Sequence, residues 1–116
     1  MKNLEQVKQK VLEYIGEYQE IPIYKLEELF EDIGFEYKGK KMLTSRESEH
    51  KVFWRNWNED ACTIICDLVL EDKVQFIISR HVVMLYLLDG KCVDLPLAVT
   101  DEPKTHSWVP IKLKLA

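Results

Sequence analysis

The side chains in this sequence best suited to chemistry are three cysteines and three histidines. Cys62 and Cys66 stand four residues apart, with His81 and Cys92 further along. A zinc ion would need four such donors converging at about 2.0–2.3 Å. Two cysteines at this spacing on one helix face are atypical of zinc modules, and buried free cysteine behaves as a small hydrophobe. No metal site is therefore expected, and the three thiols are predicted to be free and buried. A cysteine nucleophile fares no better, because the same segment carries carboxylates that disfavour the thiolate. His50, His81 and His106 are scattered along the chain, and a general base needs a neighbouring partner. There is no glycine-rich phosphate loop, nucleophile elbow or Cys-x-x-Cys pair. Gly16, Gly34, Gly39 and Gly90 are the only glycines, and each suits a helix end or a turn. No catalytic residue and no cofactor are expected, so the chain reads as a non-enzyme.

Charge offers two candidate surfaces instead. The net charge of −4 conceals strong segregation. Residues 1–37 carry nine acidic and four basic side chains, whereas 38–56 carry six basic and two acidic. Residues 57–72 carry five acidic side chains and no basic one. The basic group, Lys38, Lys40, Lys41, Arg46, Lys51 and Arg55, could contact the phosphates of a nucleic acid. The acidic group Glu27, Glu28, Glu31 and Asp32 reads as the outer face of a helix that a protein partner could meet.

Length and composition bound the rest. At 116 residues the chain is expected to form a single domain that buries roughly two-thirds of its unfolded surface. No apolar run approaches the roughly 20 residues of a membrane span, and the first residues lack the apolar core of a signal peptide. With an odd number of cysteines, these features point to a cytoplasmic protein that does not bind membranes.

The positioning elements follow from periodicity. Asn3 and Gln6 read as a capping pair before a helix that buries Leu4, Val7, Val11 and Ile15 and turns Lys8 outward. A second helix fits Ile23–Ile33, closed by Gly34 with Phe35 as its apolar contact. Residues 36–55 look irregular: Lys38-Gly39-Lys40-Lys41 resembles a loop tip, and Thr44 with Glu47 could cap a short helix running toward Trp54 and Trp57. Those two tryptophans are expected to anchor the core. A central helix from Asn58 to Glu71 carries Asp60, Thr63, Asp67 and Glu71 as a narrow polar stripe. Its wide apolar arc implies packing on several sides.

A strand is expected at Val74–Ile78, followed by a hairpin turning at Asp89-Gly90. Asp-Gly is among the best pairs for the two positive φ angles of a type I′ turn. Val82–Leu88 and Cys92–Leu95 would then be its strands, with Met84 and Tyr86 on one face and Leu85 and Leu87 on the other. Ile65, Leu68, Phe76 and Leu85 are expected to be buried together. Both hairpin faces are apolar, so either the segment Trp108–Leu115 or a second copy must cover one of them. Ile111-Lys112-Leu113-Lys114-Leu115 alternates as a lysine-protected edge strand would.

The order helix, helix, short helix, helix, then a hairpin with an extra strand resembles a winged helix-turn-helix over about residues 4–96. That resemblance implies a recognition helix at Asn58–Glu71 and a wing at Asp89-Gly90. The helix departs from the pattern because Glu59 and Asp60 stand where phosphate contacts begin. The fold class expected is therefore α+β, with a helical part over about 3–71 and an antiparallel sheet over about 74–116. The function expected is a small protein-binding adaptor, inhibitor or regulator, monomeric or homodimeric, with DNA binding through the basic segment as the alternative.

Overall fold

The computed structural model describes residues 4–46, 48–78, 81–91, 93–98 and 104–116. Helix α1 (Leu4–Tyr18) forms where the 3.6-residue period is strongest, and it buries Val7, Val11 and Ile15 completely. Lys8 departs from its expected outward position. It is 7% exposed, and its Nζ lies 2.9 Å from Asp67 Oδ2 and 3.1 Å from Glu5 Oε1. The hydrogen bond to Asp67, then that to Glu5, holds its ammonium well above the ordinary lysine range. The expected cap Asn3 and the expected cap partner Glu47 lie outside the described residues.

After strand β1 (Glu20–Pro22), helix α2 (Lys25–Asp32) buries Leu26 and Phe30. It ends as the sequence implies: the Phe35 N–H donates to the Phe30 carbonyl at 2.8 Å, and the two rings meet at 5.1 Å. Helix α3 (Glu59–Leu70) also matches expectation. The Asn58 side chain accepts from the Ala61 N–H at 2.8 Å, and Ile64, Ile65 and Leu68 are fully buried.

Residues 36–55 are not a loop and short helix. They form an antiparallel hairpin of β2 (Lys38–Thr44) and β3 (Lys51–Trp57). The lysines that suggest a loop tip are the exposed side chains of a sheet-edge strand, where charge blocks unwanted pairing. Gly39 also has a role other than turning. A Cβ there would meet the Asn58 Cα at 2.6 Å and the Trp57 carbonyl oxygen at 2.8 Å, at a bulge where Lys38 and Lys41 both pair with Trp57.

The Asp89-Gly90 hairpin is overturned as well. Val82–Leu88 is helix α4, and Val93–Leu95 belongs to no strand. The Lys91 N–H donates to the Tyr86 carbonyl at 2.8 Å and the Gly90 N–H to that of Leu87 at 3.2 Å, with Gly90 at φ +65° and Asp89 at −92°. That is a helix C-terminus closed by a left-handed glycine. A type I′ turn would need positive φ at Asp89 too. Val82 and Tyr86, one helical turn apart, are buried, whereas Leu85 is only partly so. The opposite side leaves Met84, Leu87 and Leu88 exposed at 54, 54 and 78%. Expected as a two-faced strand, the segment needs cover on one side only. Phe76 is likewise half-buried, so of the expected quartet only Ile65 and Leu68 are fully enclosed. Cys92 lies outside the described residues.

The fold is α+β, with two three-stranded sheets among the described residues. Strand β4 (Val74–Ile78) and β1 both pair antiparallel with β6 (Ile111–Leu115), giving the order β1-β6-β4. Strand β6 is thus central, not an edge. Its alternation is as expected for Ile111 and Leu113, which are fully buried, while Leu115 is 43% exposed. The second sheet has the order β2-β3-β5, with β5 (Ser107–Trp108) parallel to β3. Strands at 20–22 and 38–57 mean that helices and sheets are interleaved along the chain instead of divided near residue 71. Helix α1 packs on α3 and β6, and α4 on β1 and β6. Tyr86 ties these layers together: its hydroxyl accepts from the Ile23 N–H at 3.0 Å and donates to the Ile111 carbonyl at 2.6 Å.

Candidate binding groove

Trp54 and Trp57 are three apart on a strand, which regular alternation would send to opposite faces. Asn56 has φ +63°, and this left-handed step beside the bulge turns Trp57 back to the side of Trp54. Both indole N–H groups then donate to one atom, Glu27 Oε2, at 2.8 and 2.9 Å. The tryptophans do anchor the core, 1% and 0% exposed, but from a strand and onto a carboxylate.

That geometry redefines the acidic face of α2. Glu27 is half-buried beneath the indoles. Glu31 accepts from the Tyr37 hydroxyl, and Glu28 lies 3.7 Å from Lys25 Nζ. The Tyr24 hydroxyl donates to Asp89, the residue that ends α4. Asp32 is exposed. Two of the four acidic candidates thus hold the aromatic core against α2.

The basic candidates are differently placed. Lys38, Lys40 and Lys41 are exposed on β2, whose outer edge pairs with no described strand. Among the described residues, no carboxylate forms an ion pair with Lys38, Lys40, Lys41, Arg46 or Lys51. The Arg55 guanidinium lies 4.7 Å from the Trp54 ring centroid. The six cations do not share one surface element: Arg55 is held on an indole, while Arg46 and Lys51 sit at the turn end of the hairpin.

There they border a groove of about 630 Å³ between the hairpin, α3 and β4. Phe53 and Phe76 form its floor, edge to face with centroids 4.9 Å apart. Leu43 lies on one side and Cys66 and Val69 on the other. Ile78, 65% exposed, stands at the mouth. No sequence motif marks this groove, because its walls come from four elements. The only local hint is the β-branched and aromatic run Lys51-Val52-Phe53-Trp54.

Cys62 and Cys66 are free, as expected, but half-buried where full burial is expected. Burial pushes the Cys62 thiol up to about 11, further aided by Cys66 and opposed by Lys41. Burial likewise raises Cys66, with Asp67 adding to the effect and Arg46 opposing it. Both sulfurs are thiols at neutral pH, poor nucleophiles and poor metal ligands in that form. The histidines are less scattered than the sequence suggests. His50 and His106 meet, with their Nδ1 atoms 3.3 Å apart, while His81 is exposed just before α4. Among the described residues, no group of three or more His, Cys, Asp or Glu side chains could hold a metal ion, and no helix is long and apolar enough to cross a membrane.

No protein-family model, no curated protein and no solved structure matches this chain.

Proposed function

We propose that the chain is a small non-enzymatic binding module that acts through protein–protein contacts at the groove between the β2–β3 hairpin, α3 and β4. The observation that carries this reading is an apolar floor, Phe53 and Phe76, beneath a rim where Arg46 and Lys51 have no carboxylate partner among the described residues. The matching occupant is an acidic peptide segment bearing apolar side chains. Seating one large apolar side chain on that floor would contribute about 1.5–3 kcal/mol. Exposed ion pairs at the rim would add about 0–1 kcal/mol each. Their larger effect is on encounter rate and orientation. A nucleic-acid duplex would satisfy the cations but keeps its bases stacked away from the apolar floor; a single strand able to stack a base there is distinguished by the test below. Helix α3 supports a duplex poorly too, since Glu59 and Asp60 open its first turn.

The test is fluorescence anisotropy with a labelled peptide of interspersed glutamate, leucine and phenylalanine, run beside mixed-sequence duplex and single-stranded DNA. Peptide binding should weaken at least about tenfold in Arg46→Glu/Lys51→Glu and in Ile78→Asp. It should also weaken when serine replaces the apolar residues of the peptide. DNA binding that falls steeply with salt and is lost in Lys38→Glu/Lys40→Glu/Lys41→Glu, with no peptide binding, would replace this reading with the nucleic-acid one.

A further inference from the structure

One wall of the groove is the open edge of a sheet. Strand β4 pairs with β6 on one side and with no described strand on the other. The register from Val74↔Leu115 to Ile78↔Ile111 places Lys73 opposite Ala116, and the Ala116 N–H donates to the Lys73 carbonyl at 3.1 Å. Hydrogen-bonded and non-hydrogen-bonded pairs alternate along an antiparallel ladder. Gln75 and Ile77 therefore turn their N–H and C=O groups toward β6, whereas Phe76 and Ile78 turn theirs to the open edge. Among the described residues, nothing bonds to those outward groups. The side chains of the same two residues line the groove, on the sheet face that buries Leu113 and Ile111. One occupant can thus meet both the unpaired backbone and the apolar floor.

The other outer edges among the described strands are guarded. Strand β2 carries Lys38, Lys40 and Lys41, β1 is three residues long and ends in Pro22, and β5 is bridged by Leu97. Strand β4, Val74-Gln75-Phe76-Ile77-Ile78, has neither charge nor proline, so nothing in it discourages a further strand. We infer that the occupant of the groove is an acidic peptide segment that adds to the free edge of β4 as an extended strand, with apolar side chains at every second position. This rests on the groove being the binding surface and specifies the form of the partner. Backbone bonds to Phe76 and Ile78 hold the segment along the edge, and its alternate apolar side chains face Phe53 and Phe76. Its carboxylates meet Arg46 and Lys51, which border the same groove without a carboxylate partner among the described residues. A second copy pairing β4 with β4 would bring no carboxylate to them.

The experiment compares three forms of a labelled peptide that alternates glutamate with leucine or phenylalanine. One is unmodified, and the others are N-methylated at every second amide, in the two complementary phases. Each methylated form loses one alternate set of N–H donors and keeps every side chain. Fluorescence anisotropy with the full chain should show binding weakened at least about tenfold in one methylated form and unchanged in the other, because only one set faces β4. Amide hydrogen exchange is the second readout. The Phe76 and Ile78 amides should exchange readily in the free chain and slow at least about tenfold with the unmodified peptide bound, while Gln75 and Ile77 are protected throughout. Equal binding of both methylated forms, or equal loss, would overturn the added strand and leave the groove reading standing. No binding of the unmodified peptide would overturn both. A homodimer that protects Phe76 and Ile78 without peptide would assign the edge to a second copy and overturn the inference.

Discussion

Glu27→Ala is the substitution that tests the architecture most directly. Two indole N–H groups converge on one carboxylate oxygen at 2.8 and 2.9 Å, and both indoles are essentially inaccessible to water. Removing the acceptor strands two buried donors, each at about 1–3 kcal/mol. The two share one acceptor and are not independent, so the expected loss is about 2–5 kcal/mol. That is a large part of the 5–15 kcal/mol typical of a domain. Urea unfolding followed by far-ultraviolet circular dichroism measures it, because tryptophan fluorescence would respond to the substitution itself. Glu27→Gln keeps a carbonyl oxygen that can accept twice, and should lose only about 1–2 kcal/mol. Glu28→Ala, one residue on and exposed, should stay within about 0.5 kcal/mol. A Glu27→Ala loss below about 1 kcal/mol, or a Gln variant as damaged as the Ala variant, would refute the claim that this carboxylate anchors the indoles.

Four further outcomes are expected. Tyr86→Phe should cost about 1–3 kcal/mol in the same assay, since it strands the Ile23 N–H and the Ile111 carbonyl; Leu88→Lys, on the outer side of α4, should stay within about 0.5 kcal/mol. Gly39→Ala should lower the unfolding midpoint, because its Cβ would collide with the backbone of Trp57 and Asn58; an unchanged midpoint would mean that the bulge relaxes freely. Asp72→Gly should stabilise by about 0.5–1 kcal/mol, because Asp72 closes α3 at φ +58°. Alkylation of Cys62 should be slow at neutral pH and accelerate toward pH 11. A thiol pKa raised on folding also means that the unfolded chain gives up its proton first. Its contribution is therefore fully present below the ordinary thiol pKa of 9.0 and is lost as pH climbs through about 11.

What was legible in the sequence was whatever short-range chemistry determines alone. The periodicity of Val7, Val11 and Ile15, the Asn58 cap and the Gly34-Phe35 closure each specify a helix within a few residues. The Asp89-Gly90 signal is ambiguous: one glycine with positive φ ends a helix as readily as it turns a hairpin, and Val82–Leu88 is apolar at both periods. Hairpin β2–β3 was hidden because lysines protecting an edge strand look like lysines in a loop. The role of Glu27 was illegible for a different reason. Glu27, Glu28, Glu31 and Asp32 are alike as a local pattern, and only indoles some thirty positions away distinguish the first of them. The groove escapes sequence reading on the same ground, since Phe53 and Phe76 meet only through the two sheets.

The central place of β6 has a consequence for how the chain assembles in time. Strands β1 and β4 are not paired with each other; each is paired only with β6 among the described strands. Pro22 and Lys112 are about 90 residues apart in sequence. Closing a loop of that length costs about 4 kcal/mol beyond a constant, before any contact repays it. During synthesis β1 emerges early and must wait, its edge unsatisfied, until β6 has left the ribosome. The β4–β6 pair closes a much shorter loop and would nucleate that sheet. Docking of β1, carrying α1 and α2 with it, would then be the slow, topology-limited step. A chain truncated before residue 111 should therefore remain open to proteases along 20–22 and 74–78, whereas the 116-residue chain should be protected at both.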